Sequence, residues 1–262
     1  MNMRISIVQL DIVLADPAAN RNKVAQIVKT LPETDLIVLP EMFSTGFVTE
    51  PQGIAESENS ETLKFMLRIS KEKNCAVTGS IAVGEDEGDG KTVYYNRLYF
   101  VRPDGNVTVY NKRHLFTYGG EGKSFTAGRE RVVVEWRGTR ILLQICYDLR
   151  FPVFSRNRMV ARIGRPDYDM IIYVASWPES RIDAWNTLLM ARAIENQCYT
   201  VGVNRVGKDS ACKYSGGSVI LNPRGKPVAA CLDYAEDTAT AVIDMDYLSS
   251  FRDVFPVLED AD

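Results

Sequence analysis

Residues 140–152 read Arg-Ile-Leu-Leu-Gln-Ile-Cys-Tyr-Asp-Leu-Arg-Phe-Pro. The apolar run at 141–145 has the length and composition of a strand, and it gives way to polar residues just past Cys146. A residue at such a strand end lies at the rim of a sheet, where open α/β sheets bind their ligands. Cys146 therefore has two readings, a nucleophile at the rim or a structural thiol packed as a small hydrophobe. The same pattern occurs twice upstream. Residues 35–43, Asp-Leu-Ile-Val-Leu-Pro-Glu-Met-Phe, run an apolar strand into Glu41. Apolar neighbours there would desolvate the carboxyl and make it a better base near neutral pH, whereas in water it is an ordinary strand-end carboxylate. Residues 107–116, Val-Thr-Val-Tyr-Asn-Lys-Arg-His-Leu-Phe, run a third strand into Lys112, which is either a surface lysine or a buried ammonium able to stabilise developing negative charge.

Short β-branched runs continue in both directions, at 5–10, 36–39, 76–83, 97–101, 107–110, 132–136, 170–175, 199–203, 218–221 and 240–244. Several are apolar at consecutive positions, as in sheets covered on both faces. Helical spacing of apolar residues appears at 20–29, 61–73 and 181–197. Turn signals at Gly88, Gly90, Gly105 and Gly138 punctuate the middle of the chain as hairpins. Helices early and late with hairpins between them predict one α/β domain spanning residues 1–262.

Composition narrows the function classes. The 262 residues are 45% hydrophobic and 25% charged, with a formal net charge of −3 and no basic run, so nucleic acid is a poor partner. The N-terminal apolar stretch is broken by Gln9 and Asp11, too early for a signal peptide, and no run reaches membrane-span length. A soluble, cytoplasmic protein is expected. The five cysteines are odd in number and form no Cys-x-x-Cys pair, which fits neither a disulfide framework nor a zinc site. His114 is the only histidine, so a multi-histidine metal site is excluded. A structural hydrogen-bonding role suits it better than catalysis. Were the strand to continue past Lys112, the two would share a face. Residues 117–124, Thr-Tyr-Gly-Gly-Glu-Gly-Lys-Ser, lack the first glycine and the preceding strand of a phosphate loop, and read as a flexible loop presenting Glu121.

Glu, Lys and Cys in this order, each at a strand end, resemble the catalytic triad of the nitrilase superfamily of carbon–nitrogen hydrolases. Pro40-Glu41, residues 112–116, residues 146–152 and the Ala-Arg-Ala-Ile-Glu-Asn segment at 191–196 are similar to that family's motifs, over roughly residues 5–246. Within it, residues 39–43, 110–116, 134–138 and 173–178 look most like the omega-amidases, including bacterial enzymes acting on 2-oxoglutaramate. One departure is 158–165, which looks like a small insertion.

The resemblance implies a four-layer α-β-β-α sandwich and a homodimer paired around the nucleophile-bearing region. It also implies a triad of Cys146 as nucleophile, Glu41 as base and Lys112 as oxyanion partner, supported by the Tyr147 backbone N–H and by Glu121, with no metal and no cofactor. The small-molecule substrate would be the omega-amide of a 2-oxo dicarboxylic acid, hydrolysed through a thioester. Its far carboxylate needs a cation, and Arg150 is the first candidate, its alternative role being an ion pair with Asp148. Phe43, Tyr118 and Trp177 are candidate pocket residues, with simple packing, as common for aromatic residues at strand ends, as the alternative. Other readings are a hydrolase of carbamoyl groups or nitriles, and a non-enzymatic binder or thiol sensor.

Overall fold

The computed structural model describes residues 2–260 apart from residues 89 and 163. Two six-stranded paths form the body. In the first sheet the order is Asp237–Asp244, Asn2–Gln9, Leu36–Val38, Ala76–Asp86, Thr92–Val101 and Val107–Asn111. Its three inner strands from Asn2–Gln9 to Ala76–Asp86 run parallel, and the flanking pairs are antiparallel. In the second the order is Pro227–Ala230, Val219–Leu221, Tyr199–Val203, Met170–Val174, Thr139–Ile145 and Val133–Trp136, again with three parallel strands inside. Hairpin strands can close with tight turns, while the parallel ones need crossovers that carry helices.

Side-chain alternation assigns the layers. Leu36 and Val38 point into a core shared with Ile141, Leu143, Ile172 and Val201 of the other sheet. Ile37 and Leu39 point the opposite way, into a core with Val24 and Val28 of helix Pro17–Thr30 and Phe65, Met66 and Ile69 of helix Glu61–Lys73. Helix Ile182–Glu195 covers the second sheet through Trp185, Leu189 and Ala193. Each fully buried aliphatic or aromatic side chain contributes roughly 1.5–3 kcal/mol. The result is the expected α-β-β-α sandwich. At Gly202 the helix approaches so closely that an added Cβ would stand 2.4 Å from Leu189 Cδ1 and 2.9 Å from Trp185 Cζ2.

The helices start where the sequence supplies caps. Asp16 Oδ1 accepts from the Ala19 N–H at 2.9 Å ahead of Pro17, and Ser60 Oγ accepts from the Leu63 N–H at 3.1 Å. Such caps are worth about 0.5–2 kcal/mol each. The 158–165 segment forms part of a small hairpin in which Met159–Val160 pairs with Arg165–Pro166, with residue 163 outside the described residues. No helix among the described residues is long and apolar enough to cross a membrane.

Candidate active site

Five segments converge at one end of the sandwich. The strands Leu36–Val38, Thr139–Ile145, Met170–Val174 and Tyr199–Val203 deliver Glu41, Cys146, Ser176 and Asn204 just past their C-terminal ends, and Val107–Asn111 delivers Lys112. The parallel strands place their carboxyl ends together, which is where crevices open in such sheets.

Lys112 is fully buried between two fully buried carboxylates. Its Nζ donates to Glu41 Oε1 at 2.8 Å and to Glu121 Oε2 at 2.9 Å. Burial alone would push the ammonium down, but the Glu121 and Glu41 carboxylates outweigh it and hold it well above the lysine range. Glu41 is ringed by donors rather than by the apolar groups expected. Besides Lys112, Asn96 Nδ2 donates to its Oε1 at 2.8 Å and the Ser176 N–H to its Oε2 at 2.8 Å. The same Asn96 amide reaches Glu121 Oε1 at 3.0 Å, so one side chain spaces both acids.

Glu121 is fully buried rather than presented on an exposed loop. Residues 117–123 fold as two successive 3-10 turns, Thr117–Gly119 and Glu121–Lys123. Gly120 joins them at φ 86°, a conformation that costs a glycine little. This turns the Glu121 carboxylate inward, where its Oε2 also accepts the Phe116 N–H at 2.6 Å.

Cys146 adjoins this cluster and is buried. It has a φ of 46°, a left-handed conformation that a non-glycine residue adopts only against steric cost, often at functional sites. Burial pushes its thiol well above the ordinary range, the Glu41 charge adds to this, and Lys112 opposes it. The sulfur therefore rests as a thiol beside a carboxylate that can accept its proton.

Asp148 holds this strained turn in place. Its oxygens accept from Tyr110 Oη at 2.6 Å, from the Ile145 N–H at 3.0 Å, from the His114 N–H at 2.9 Å and from His114 Nδ1 at 2.8 Å. An acceptor-only carboxylate requires the proton on Nδ1. His114 stacks on Phe151 at 3.9 Å between centroids and packs as a structural residue. Because the strand ends at Asn111, His114 and Lys112 do not share a continuing strand face: one meets Asp148, the other Glu41.

A cavity of about 260 Å³ opens over Cys146. Tyr147, Arg150 and Trp177 line it, as do Phe47, Phe116 and Arg181, which the sequence reading passed over. Phe43 is corrected: it is fully buried in the core between the first sheet and its helices, beneath Gly79, and does not line the cavity. Phe47 does, with its ring 5.5 Å from Lys112 Nζ. Tyr118 is also corrected, being 87% exposed and outside the lining, while Phe116 turns towards the cavity in its place. Arg150 makes no ion pair with Asp148, whose oxygens are taken. It lies over the Trp177 ring at 4.9 Å. Asn96 and Asn204 were also missed. Their signal was available, a lone amide within or just past an otherwise apolar strand that must find partners when buried.

Among the described residues no cluster of three or more His, Cys, Asp or Glu side chains could hold a metal ion. A buried thiol, a carboxylate against it and an ammonium beside both, under a small cavity, form a site for nucleophilic attack on a carbonyl. Fold and site together define an amidohydrolase on a nitrilase-type sandwich. Residues 4–253 match the carbon-nitrogen hydrolase family model, and the chain belongs to that family. It is 40% identical to the omega-amidase YafV of Yersinia enterocolitica, over 99% of this chain and 97% of that protein. It is 30% identical to the 2-oxoglutaramate amidase of Bacillus subtilis, over 99% and 98% of the two chains. The crystal structure of XC1258 from Xanthomonas campestris, a CN-hydrolase superfamily protein with an arsenic adduct in its active site, superposes with a TM-score of 0.95. It is 41% identical, over 100% of this chain and 98% of that one.

Proposed function

We propose that the protein hydrolyses the omega-amide of a 2-oxo dicarboxylic acid, such as 2-oxoglutaramate or 2-oxosuccinamate. One observation carries the chemistry: a buried Lys112 held between Glu41 and Glu121, beside a Cys146 thiol in a strained turn. The substrate class is supported by Arg150 in the cavity wall and by the names of the relatives. The cavity suits a small molecule rather than a polymer.

Glu41 takes the proton of Cys146 as the sulfur attacks the amide carbon. Proton transfer and attack proceed together, because the burial that keeps the thiol protonated also opposes a free thiolate. Lys112 and the Tyr147 N–H, in the first turn after the strand where N–H groups lack helical acceptors, hold the oxyanion. Glu41 returns its proton to the leaving nitrogen, ammonia departs, and a thioester remains. Water, deprotonated by Glu41, then releases the carboxylate and restores the thiol. Glu121 positions Lys112. A pair of chains as a homodimer is part of this proposal: Val153, Met190 and Ile194 are exposed on the nucleophile-bearing segment and on the helix packed against it.

Ammonia release measured on 2-oxoglutaramate and 2-oxosuccinamate, against N-carbamoyl amino acids and aliphatic nitriles, tests the reading. The 2-oxo acid amides should be turned over with the highest kcat/KM, and Cys146→Ala should abolish turnover while leaving the circular dichroism spectrum intact. Preference for a carbamoyl compound or nitrile would sink the substrate assignment, and turnover surviving in Cys146→Ala would sink the nucleophile.

A further inference from the structure

The cavity carries two cations that no carboxylate neutralises. Arg150 and Arg181 both line it, and neither forms an ion pair among the described residues. Asp209, an acid in the same lining, is already occupied. It accepts from Tyr214 Oη at 2.7 Å, from the Ala211 N–H at 2.9 Å and from the Cys212 N–H at 2.8 Å, with buried Arg205 at 3.9 Å. The wall therefore presents two free guanidinium groups to whatever enters.

Both guanidiniums rest on aromatic platforms that are themselves tied down. Arg150 lies over Trp177 at 4.9 Å, and Arg181 over Phe116 at 5.3 Å. Trp177 Nε1 donates to the Arg181 carbonyl at 2.8 Å, and its backbone N–H donates to Asn204 Oδ1 at 2.7 Å. The Phe116 N–H is held by Glu121, which also holds Lys112. Stacking of this kind orders a guanidinium before ligand arrives, which lowers the entropic cost of binding.

We propose that Arg181 is the second half of a two-guanidinium clamp, with Arg150, that reads the 2-oxo acid end of the substrate. A carboxylate next to a carbonyl offers three oxygens in one plane. One guanidinium fork serves two of them, so the third needs a second donor group. Arg181 thereby distinguishes a 2-oxo acid amide from an amide with a bare carboxylate or none. This rests on the omega-amide reading above, and the test separates the two.

Arg181→Gln and Arg181→Lys are compared with the parent on three amides of equal length: 2-oxoglutaramate, glutaramate and pentanamide. Arg181→Gln should lower kcat/KM for 2-oxoglutaramate about 100-fold, chiefly through KM, as expected for lost charge-assisted hydrogen bonds. The loss on pentanamide should be at least tenfold smaller, with Arg181→Lys intermediate. Equal losses on all three amides, or an unchanged selectivity ratio, would overturn the clamp. A second readout needs no turnover. 2-Oxoglutarate should protect Cys146 of the parent from iodoacetamide, and at least 30-fold more should be needed in Arg181→Gln. Protection without any omega-amide turnover would sink the proposed reaction and keep the clamp. Absence of protection in the parent, or equal protection in both, would sink the clamp.

Discussion

Lys112 shows how a single buried charge comes to depend on its neighbours. Two carboxylates and one ammonium lie out of water together, and each is tolerated only because the others are there. Removing one partner of such a group costs about 3–5 kcal/mol, because it leaves uncompensated buried charge. Lys112→Met should therefore lose stability on that scale, read as a lower urea midpoint, and lose turnover as well. A stable, inactive Lys112→Met would show that Glu41 and Glu121 do not depend on the ammonium for burial. Strand patterning placed Glu41, Lys112 and Cys146 at three strand ends, whereas Glu121 joined them only through the family resemblance. Its position depends on Gly120 turning the chain between two short helical turns.

Among the elements, helix Ile182–Glu195 carries two faces with different tasks. Its inner face packs Trp185 and Leu189 against Gly202, and that face was legible from apolar spacing. Its outer face leaves Met190 46% and Ile194 51% exposed beside the turn at Gly225, while on a different face Arg192 donates to the Leu149 carbonyl at 2.6 Å and ties the helix to the segment after Cys146. If the outer face pairs two chains, Ile194→Asp should place a charge in an apolar contact and yield monomers. Light scattering on the parent and the variant checks it: a monomeric parent, or an Ile194→Asp that stays dimeric, rules this face out as the contact. The Asp148 clasp is also an element-scale device. It ties the segment after Thr139–Ile145 to the one after Val107–Asn111, so Cys146 and Lys112 share one frame.

Across the whole molecule, buried thiols should shape the response to pH. Burial pushes Cys75 up to about 11 and Cys198 and Cys231 up to about 12, and it raises Cys146 too. In the unfolded chain a thiol titrates near 8.5. The folded chain thus keeps protons that the unfolded chain releases. The stability these groups provide is whole below about pH 8.5 and is lost as pH rises towards their folded values, at up to about 1.4 kcal/mol per pH unit per group. Urea midpoints in reducing buffer should fall steadily between pH 8.5 and 10.5. A flat or rising profile would contradict the burial of these sulfurs.

Local sequence by itself determined eleven of the twelve strands of the two sheet paths, all but Pro227–Ala230, together with the three principal crossover helices and the strand-end positions of Glu41, Lys112 and Cys146, because period, β-branching and caps act over a few residues. Local sequence could not assign which aromatic faces the cavity. Phe43 and Phe47 lie four residues apart, yet one packs under Gly79 in the core and the other stands over Lys112, because the chain reverses between them in a turn that ends at Gly46 with φ 74°. Asn96, Asp148 and Arg181 likewise took their places only when separate strands met. Their partners lie 25 to 55 residues away for the Asn96 amide and 34 to 38 away for the links from Asp148 to the Lys112 segment, separations that no local pattern records. Tertiary packing joined them because a buried polar group must find its donor or acceptor wherever the fold supplies it.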